Sequence, residues 1–421
     1  MPHGRRAKLR RPSLMRFSDV IGQKAIKDRL LTMAGEGRLP HAMLLIGDEG
    51  TGALPLAMAL AQYIDCTGDK SHGDSCGTCP ACQKVARMVH PDVHYIFPIA
   101  KNGSSDDTDT YLPEWRQTVT RTPYFGLQEW VSAMASKKRT EAQPDDDKAT
   151  ATGTGKQALI AKDAAQAIHA KLSMKPYEAD KQIMIIWKPE LMNETTSNSL
   201  LKILEEPPTD TLFIMVSEDA AQILPTIMSR TQTFRVPPIE EGDMKAALMR
   251  SLGMVPTEAS RMAHIAQGSY VAATRLLGNA EAATQNLLFF KEMMRVAWTD
   301  RPEKVIRMNA LADQCRTMTR DQVKNLLAYC QHMVRESFIM NLCESRINFL
   351  TQAEEEFLLK FAQFVHVGNA ERIAALIDDT MARVEQNANV RMVMKSMMMS
   401  LSALIKRVKR PSADPDPKQQ A

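Results

Sequence analysis

The stretch Ala42-Met43-Leu44-Leu45-Ile46-Gly47-Asp48-Glu49-Gly50-Thr51-Gly52-Ala53-Leu54 decides the fold. Its first five residues are uniformly apolar and read as a short buried strand. Residues 47–52 form a glycine loop, and apolar residues at helical spacing follow from Leu54 to Tyr63. Strand, glycine loop and helix in this order overlay the phosphate-binding pattern G-x4-G-K-[ST], with Gly47, Gly50 and Gly52 supplying the turn. Ala53 stands in place of the lysine that neutralises phosphate, and Leu54 in place of the hydroxyl residue that holds magnesium. The loop keeps the shape without the chemistry, so no nucleotide is expected on it.

Working outward, Gln182 to Trp187 and Thr211 to Val216 read as buried strands, and Ile160 to Met174 and Thr195 to Leu204 as helices. Alternating β and α segments predict a parallel sheet covered by helices, the α/β class. The run Ile183-Met184-Ile185-Ile186 would carry an acidic, magnesium-binding pair at its end in an ATPase, but Trp187 and Lys188 occupy those places. The strand is expected to end at the surface, with Glu190 and Glu194 as solvated residues at a helix start. Upstream, Asp19 to Gln23 leads into a helix carrying Ile26, Leu30, Leu31 and Met33 and stopped by Gly35 and Gly37.

Downstream of Pro237-Pro238 the strand-like runs cease and helical periodicity takes over. Val390, Val393, Met394, Met397, Met398, Leu401, Leu404 and Ile405 make one apolar stripe. Residues 102–115 and 133–157 are polar and aperiodic and are expected to be loops or insertions, while Trp115, Tyr124, Phe125 and Trp130 between them suggest a small packed element. The expected divisions are a basic disordered arm over 1–16, an α/β domain over 17–236 with a cysteine-rich module at 66–82 and a polar insertion at about 101–157, a small helical domain over 237–282, a larger all-helical one over 283–405, and a disordered tail over 406–421.

Composition excludes several classes. The 421 residues are 44% hydrophobic and 24% charged, which rules out a wholly disordered chain. Aromatics are only 5% against 28 methionines, so aliphatic and thioether side chains must fill the core. The formal charge of +4 is misleading, because six basic residues precede Asp19 with no acid among them, leaving 4 − 6 = −2 for the rest. No apolar run reaches the roughly 18 residues of a membrane span, and no apolar segment follows the basic N-terminus as in a secretory signal. A cytoplasmic location is expected.

Seven cysteines suit neither a disulfide scaffold nor complete pairing. Cys66, Cys76, Cys79 and Cys82, spaced C-x9-C-x2-C-x2-C with Gly73 and Gly77 among them, can instead close a tetrahedral zinc site. With every corner filled by sulfur no position stays open for water, so this zinc would be structural. His72 and His90 lie close in sequence and read as lone surface histidines, while Cys315, Cys330 and Cys343 read as small packing hydrophobes.

Phe17-Ser18-Asp19-Val20-Ile21-Gly22-Gln23, Arg38-Leu39-Pro40-His41-Ala42, the cysteine cluster, His90-Pro91-Asp92, the run Asn198 to Pro208 and the run Ile223 to Thr231 together resemble the bacterial DNA polymerase III clamp loader subunits of the AAA+ class, over about residues 17–280. The resemblance implies an AAA+ α/β core with an inserted zinc module, a small helical lid and an all-α collar domain. Within the family, the missing P-loop and magnesium-binding groups point to the non-hydrolysing delta prime type rather than the gamma/tau ATPase. It places Ser217 at the sensor 1 position and Val271 where the sensor 2 arginine would stand. Ser229-Arg230-Thr231 resembles the family's Ser-Arg-Cys motif, which implies that Arg230 acts in trans on ATP held by a neighbouring subunit. Implied partners are gamma/tau and delta subunits and, through the complex, the sliding clamp and primed DNA. Two other readings stay open: a gamma/tau-type ATPase with a divergent loop, and a zinc-dependent nucleic-acid-binding protein.

Overall fold

The computed structural model describes residues 15–70, 73–100, 108–141, 158–208, 210–278, 280–341, 350–386 and 388–406. The chain divides into one unit ending at Arg275 and a second beginning at Leu276. In the first unit the elements run α1 (Lys24–Gly35), β1 (Ala42–Ile46), α2 (Ala53–Asp65), α3 (Pro80–Ala86), β2 (Val93–Ile96), α4 (Leu112–Arg121), α5 (Leu127–Glu141), α6 (Lys162–Leu172), β3 (Gln182–Trp187), α7 (Glu194–Glu205), β4 (Thr211–Ser217), α8 (Pro225–Met228), β5 (Gln232–Arg235), α9 (Glu241–Leu252), α10 (Pro256–Ile265) and α11 (Tyr270–Gly278).

The five strands form one parallel sheet in the order β2-β3-β4-β1-β5. This is the parallel α/β core that the alternation of strands and helices predicts. Successive side chains point to opposite faces, and both faces are covered, which is why the strands are apolar throughout. Met43, Leu45, Ile183, Ile185 and Trp187 pack with α2, α4 and α5 on one face. Leu44, Met184, Ile186, Phe213 and Met215 pack with α6 and α7 on the other. Register aligns Ile46 with Ser217 and Trp187 with Val216, so the glycine loop, Lys188 and Glu218 emerge together at the C-terminal edge of the sheet, where α/β folds place their sites.

Two strands escape the sequence pattern. β2 has only four residues and includes His94, and β5 is an edge strand in which Phe234 alone is buried. A second correction concerns residues 102–115 and 133–157. The packed element expected between them is formed by helices α4 and α5, which extend into the expected loops over 112–115 and 133–141, whereas 101–107 and 142–157 lie outside the described residues. Few aromatics suffice to fold this segment. Trp115 and Trp130 are fully buried, Trp115 stacks on Phe97 at 4.4 Å between ring centroids, and Trp130 Nε1 donates to the Pro98 carbonyl at 2.7 Å.

The second unit is helical among its described residues: α12 (Ala280–Trp298), α13 (Glu303–Thr317), α14 (Arg320–Asn341), α15 (Gln352–Phe361), α16 (Ala370–Glu385) and α17 (Val390–Lys406). Its core is built on the predicted stripe of α17, with Val393, Met394, Met397, Met398, Leu401 and Ile405 buried and Val390 and Leu404 partly so. Cys315 and Cys330 are buried in it as expected, and Cys343 lies outside the described residues. No helix among the described residues is long and apolar enough to cross a membrane.

Candidate functional site

Gly50 and Gly52 adopt φ of +84° and +102°, the left-handed backbone that lets the loop turn from β1 into α2. Ala53 and Leu54 are buried at 6% and 4% exposure and offer no donor to a phosphate. The loop is also covered. Ser269 Oγ donates to the Glu49 carbonyl at 2.6 Å and the Tyr270 amide to the Gly50 carbonyl at 3.1 Å. A Cβ placed on Gly50 would lie 2.4 Å from Ser269 Oγ and 2.8 Å from the Val271 nitrogen. Ser269, Tyr270 and Val271 therefore sit directly on the loop. Tyr124, Phe125 and Trp187 close the other side, and the remaining cleft has about 30 Å³, room for about two waters.

The next strand end corrects two expectations. Lys188 is buried at 5% exposure, with φ of +56°, and its ammonium pairs with Glu218; the strand does not end at the surface. Glu190 is not solvated either. Its side chain is 5% exposed, 3.9 Å from Lys188 Nζ, and it accepts the Glu218 amide at 3.2 Å. Glu194 is exposed in the first turn of α7, as expected. Burial pushes the Glu218 carboxyl upward, with Lys188 pulling the other way. Ser217 is fully buried, and its carbonyl accepts the Gly47 amide at 3.1 Å.

A second group of charges escapes sequence reading altogether. Arg275 on α11 donates from Nη1 to Glu49 Oε2 at 2.5 Å and from Nη2 to Glu49 Oε1 at 3.0 Å. It also reaches Glu129 on α5, from Nε at 2.6 Å and from Nη2 at 2.6 Å. Burial works to raise the Glu129 carboxyl, but the hydrogen bonds from Arg275 and Gly126 outweigh it and hold it below its usual range. Gln23, with φ of +60°, bridges the glycine loop to the end of the sheet by donating to the Thr51 and Pro237 carbonyls at 3.0 and 2.6 Å.

The predicted metal ligands come together. The sulfurs of Cys66, Cys76, Cys79 and Cys82 all lie within 4.8 Å of one another, at the junction of α2 and α3. Their donor chemistry fits a metal such as zinc. The amides of Cys76, Cys79 and Cys82 point at the sulfurs of Cys66, Cys76 and Cys79 at 3.3, 3.3 and 3.4 Å, which favours thiolates. Burial raises the thiols of Cys66 and Cys82, whereas at Cys79 hydrogen bonds from the Cys82 amide and from Thr67 overcome it and bring the thiol down to about 5. A Cβ on Gly68 would lie 2.5 Å from Cys76 Sγ, so the loop needs glycine there to close. His90 is not a surface residue: it is 4% exposed, with Nδ1 3.7 Å from Asp65, and stands outside the cluster. His72 lies outside the described residues.

Arg230 follows α8 on the exterior, its side chain 36% exposed and paired with Glu205 at 2.7 Å. It also donates to the Thr226 carbonyl at 3.0 Å.

The fold and site define a P-loop-type α/β protein whose loop lacks the lysine and hydroxyl of that motif and which carries a four-cysteine centre. The family model described as DNA polymerase III, delta subunit, matches residues 22–240, more than half of the 421, and the chain belongs to that family. A DNA polymerase III subunit gamma/tau from Mycoplasma pneumoniae is 25% identical over 259 residues, 60% of this chain and 29% of that protein. A DNA polymerase III subunit delta prime from Bacillus subtilis is 26% identical over 218 residues, 52% of this chain and 48% of that protein. This chain thus spans less than half the length of either relative, and identities this similar do not divide the two types. Among solved structures, a gamma subunit-related protein from Thermotoga maritima is 13% identical, covering 90% of this chain and 99% of its own, at a TM-score of 0.40.

Proposed function

We propose that this chain is the delta prime-type, non-hydrolysing subunit of a bacterial clamp loader. The observation that carries this reading is the closed glycine loop: Ala53 and Leu54 replace the catalytic side chains, and Ser269, Tyr270 and Val271 sit against Gly50. Lysine at position 188 and tryptophan at 187 offer magnesium no ligand. Incubating the isolated chain with a labelled ATP analogue tests the reading, with no saturable binding expected. Saturable binding would favour a gamma/tau-type ATPase instead.

In this reading Arg230 is supplied to the γ-phosphate of ATP on an adjacent gamma/tau subunit, and its exposure on the outer surface supports the role. The partners are gamma/tau and delta subunits, with the sliding clamp and primed DNA engaged by the assembly. The four cysteines would hold zinc structurally, since a full set of sulfur ligands leaves no position for substrate.

A further inference from the structure

We propose that Arg275, Glu49 and Glu129 form an ion-pair latch that docks helices α9–α11 onto the glycine loop with no nucleotide present. The latch joins three segments remote in sequence: the loop itself, α5 and α11. Arg275 lies four residues beyond Val271, one helical turn along α11, and so on the same side of the helix as the vacated sensor position. Its guanidinium makes two forked contacts, one with each carboxylate. Paired forks of this kind are shorter and stronger than single ion pairs and fix orientation as well as distance.

The backbone is shaped around the latch. A Cβ on Gly126 would fall 1.4 Å from Glu49 Oε1 and 2.6 Å from Arg275 Nη2, so any side chain there would push the paired groups apart. The Gly126 amide itself donates to Glu129 Oε2 at 2.9 Å. Neutral contacts act in the same direction, through Ser269 on the Glu49 carbonyl, Tyr270 on the Gly50 carbonyl and the Tyr124–Tyr270 ring pair at 5.0 Å. A P-loop binds helix and loop together through phosphate charge; here a carboxylate of the loop supplies the negative charge and α11 the positive. The latch stands apart from the role proposed for Arg230, because it acts within one chain.

Hydrogen–deuterium exchange of the full chain without nucleotide tests it. Arg275→Gln is expected to raise exchange in α9–α11 about tenfold or more relative to wild type, and Glu129→Gln to raise it less. Gly126→Ala, which removes no charge but intrudes on both partners, is expected to act like Arg275→Gln. Arg250→Gln, an exposed charge on α9 outside the latch, is the control and is expected to change nothing. Unchanged exchange in both Arg275→Gln and Glu129→Gln would overturn the latch, as would an equal effect of the control. Added protection of α11 by saturating ATP in wild type would also overturn it, because the latch is complete without nucleotide. If Gly126→Ala does not fold, the two charge variants still decide the matter.

Discussion

Asp74, inside the cysteine loop, accepts the Phe17 amide on Oδ1 at 3.1 Å and the Ser18 amide on Oδ2 at 2.9 Å. The loop that carries the metal ligands thereby holds the turn that opens the family-like segment Phe17 to Gln23. That segment in turn braces the glycine loop, through Gln23 to Thr51 and the Ile21 amide to Tyr124 Oη at 2.8 Å.

Loss of the metal should therefore be felt beyond the cysteines. Chelation, or Cys76→Ser with Cys79→Ser, is expected to lower the melting temperature of the first unit and to expose Phe17, whose ring packs on Tyr63 at 6.0 Å. Asp74→Ala should mimic part of this, costing about 1 kcal/mol as for a lost cap. Calorimetry with and without chelator checks both, and equal melting temperatures in zinc-loaded and zinc-free protein would refute the coupling.

Restoring motif residues should not restore a nucleotide site. Ala53→Lys with Leu54→Thr recreates the P-loop pattern, but both positions are buried and the cleft holds only about 30 Å³. The double variant is expected to be destabilised by a few kcal/mol, the cost of forcing a charged and a polar group into packed space, and still to bind no ATP. Isothermal titration with ATP provides the measurement.

Arg230→Ala, in a reconstituted loader, is expected to reduce DNA-stimulated ATP hydrolysis by about 10³-fold or more if it serves as an arginine finger. The isolated chain should keep its stability, because Arg230 is partly exposed and its pair with Glu205 is worth at most about 1 kcal/mol. Undiminished hydrolysis would remove the trans role.

Two buried groups of the first unit respond to acid with opposite sign: His94 favours unfolding as pH falls, whereas Asp65, whose carboxyl burial pushes up to about 8, favours the fold. Burial, with the Lys171 charge adding to it, brings His94 down to about 4, whereas in an unfolded chain it titrates near 6.5. Between those values the unfolded chain binds the proton that the folded one refuses, so the His94 contribution to stability falls as pH drops from about 6.5 to 4. Burial pushes His90 the same way. Asp92 adds a further loss at lower pH: burial would raise its carboxyl, but amides of Tyr177, Glu178 and Ala179 hold it down, and that benefit disappears on protonation. Denaturation midpoints across pH should show His94→Gln gaining on wild type progressively as pH drops from about 6.5 to 4, and an unchanged difference across that range would refute the His94 contribution.

A core variant gives a reference for these effects. Trp115→Ala removes a fully buried ring stacked against Phe97 and contacting Trp130, Phe125 and Trp187, and should cost about 3–5 kcal/mol. Urea titration of the first unit measures it.

Sequence alone determined those features that rest on local chemistry. The central strands β1, β3 and β4 were legible because continuous apolar runs of strand length have few other uses, and the stripe of α17 because its spacing matches a helix. The missing lysine, hydroxyl and acidic groups, and the four clustered thiols, are facts of residue identity that need no coordinates. Tertiary structure alone decided which charges meet. Glu49, Glu129 and Arg275 are 146 and 226 positions apart in the relevant pairs, and no local pattern links them. Lys188 and Glu190 looked solvated until the alignment of β3 with β4 placed them beside Glu218. A charge carries no periodic signature, and its burial is paid for by partners that only packing brings within reach.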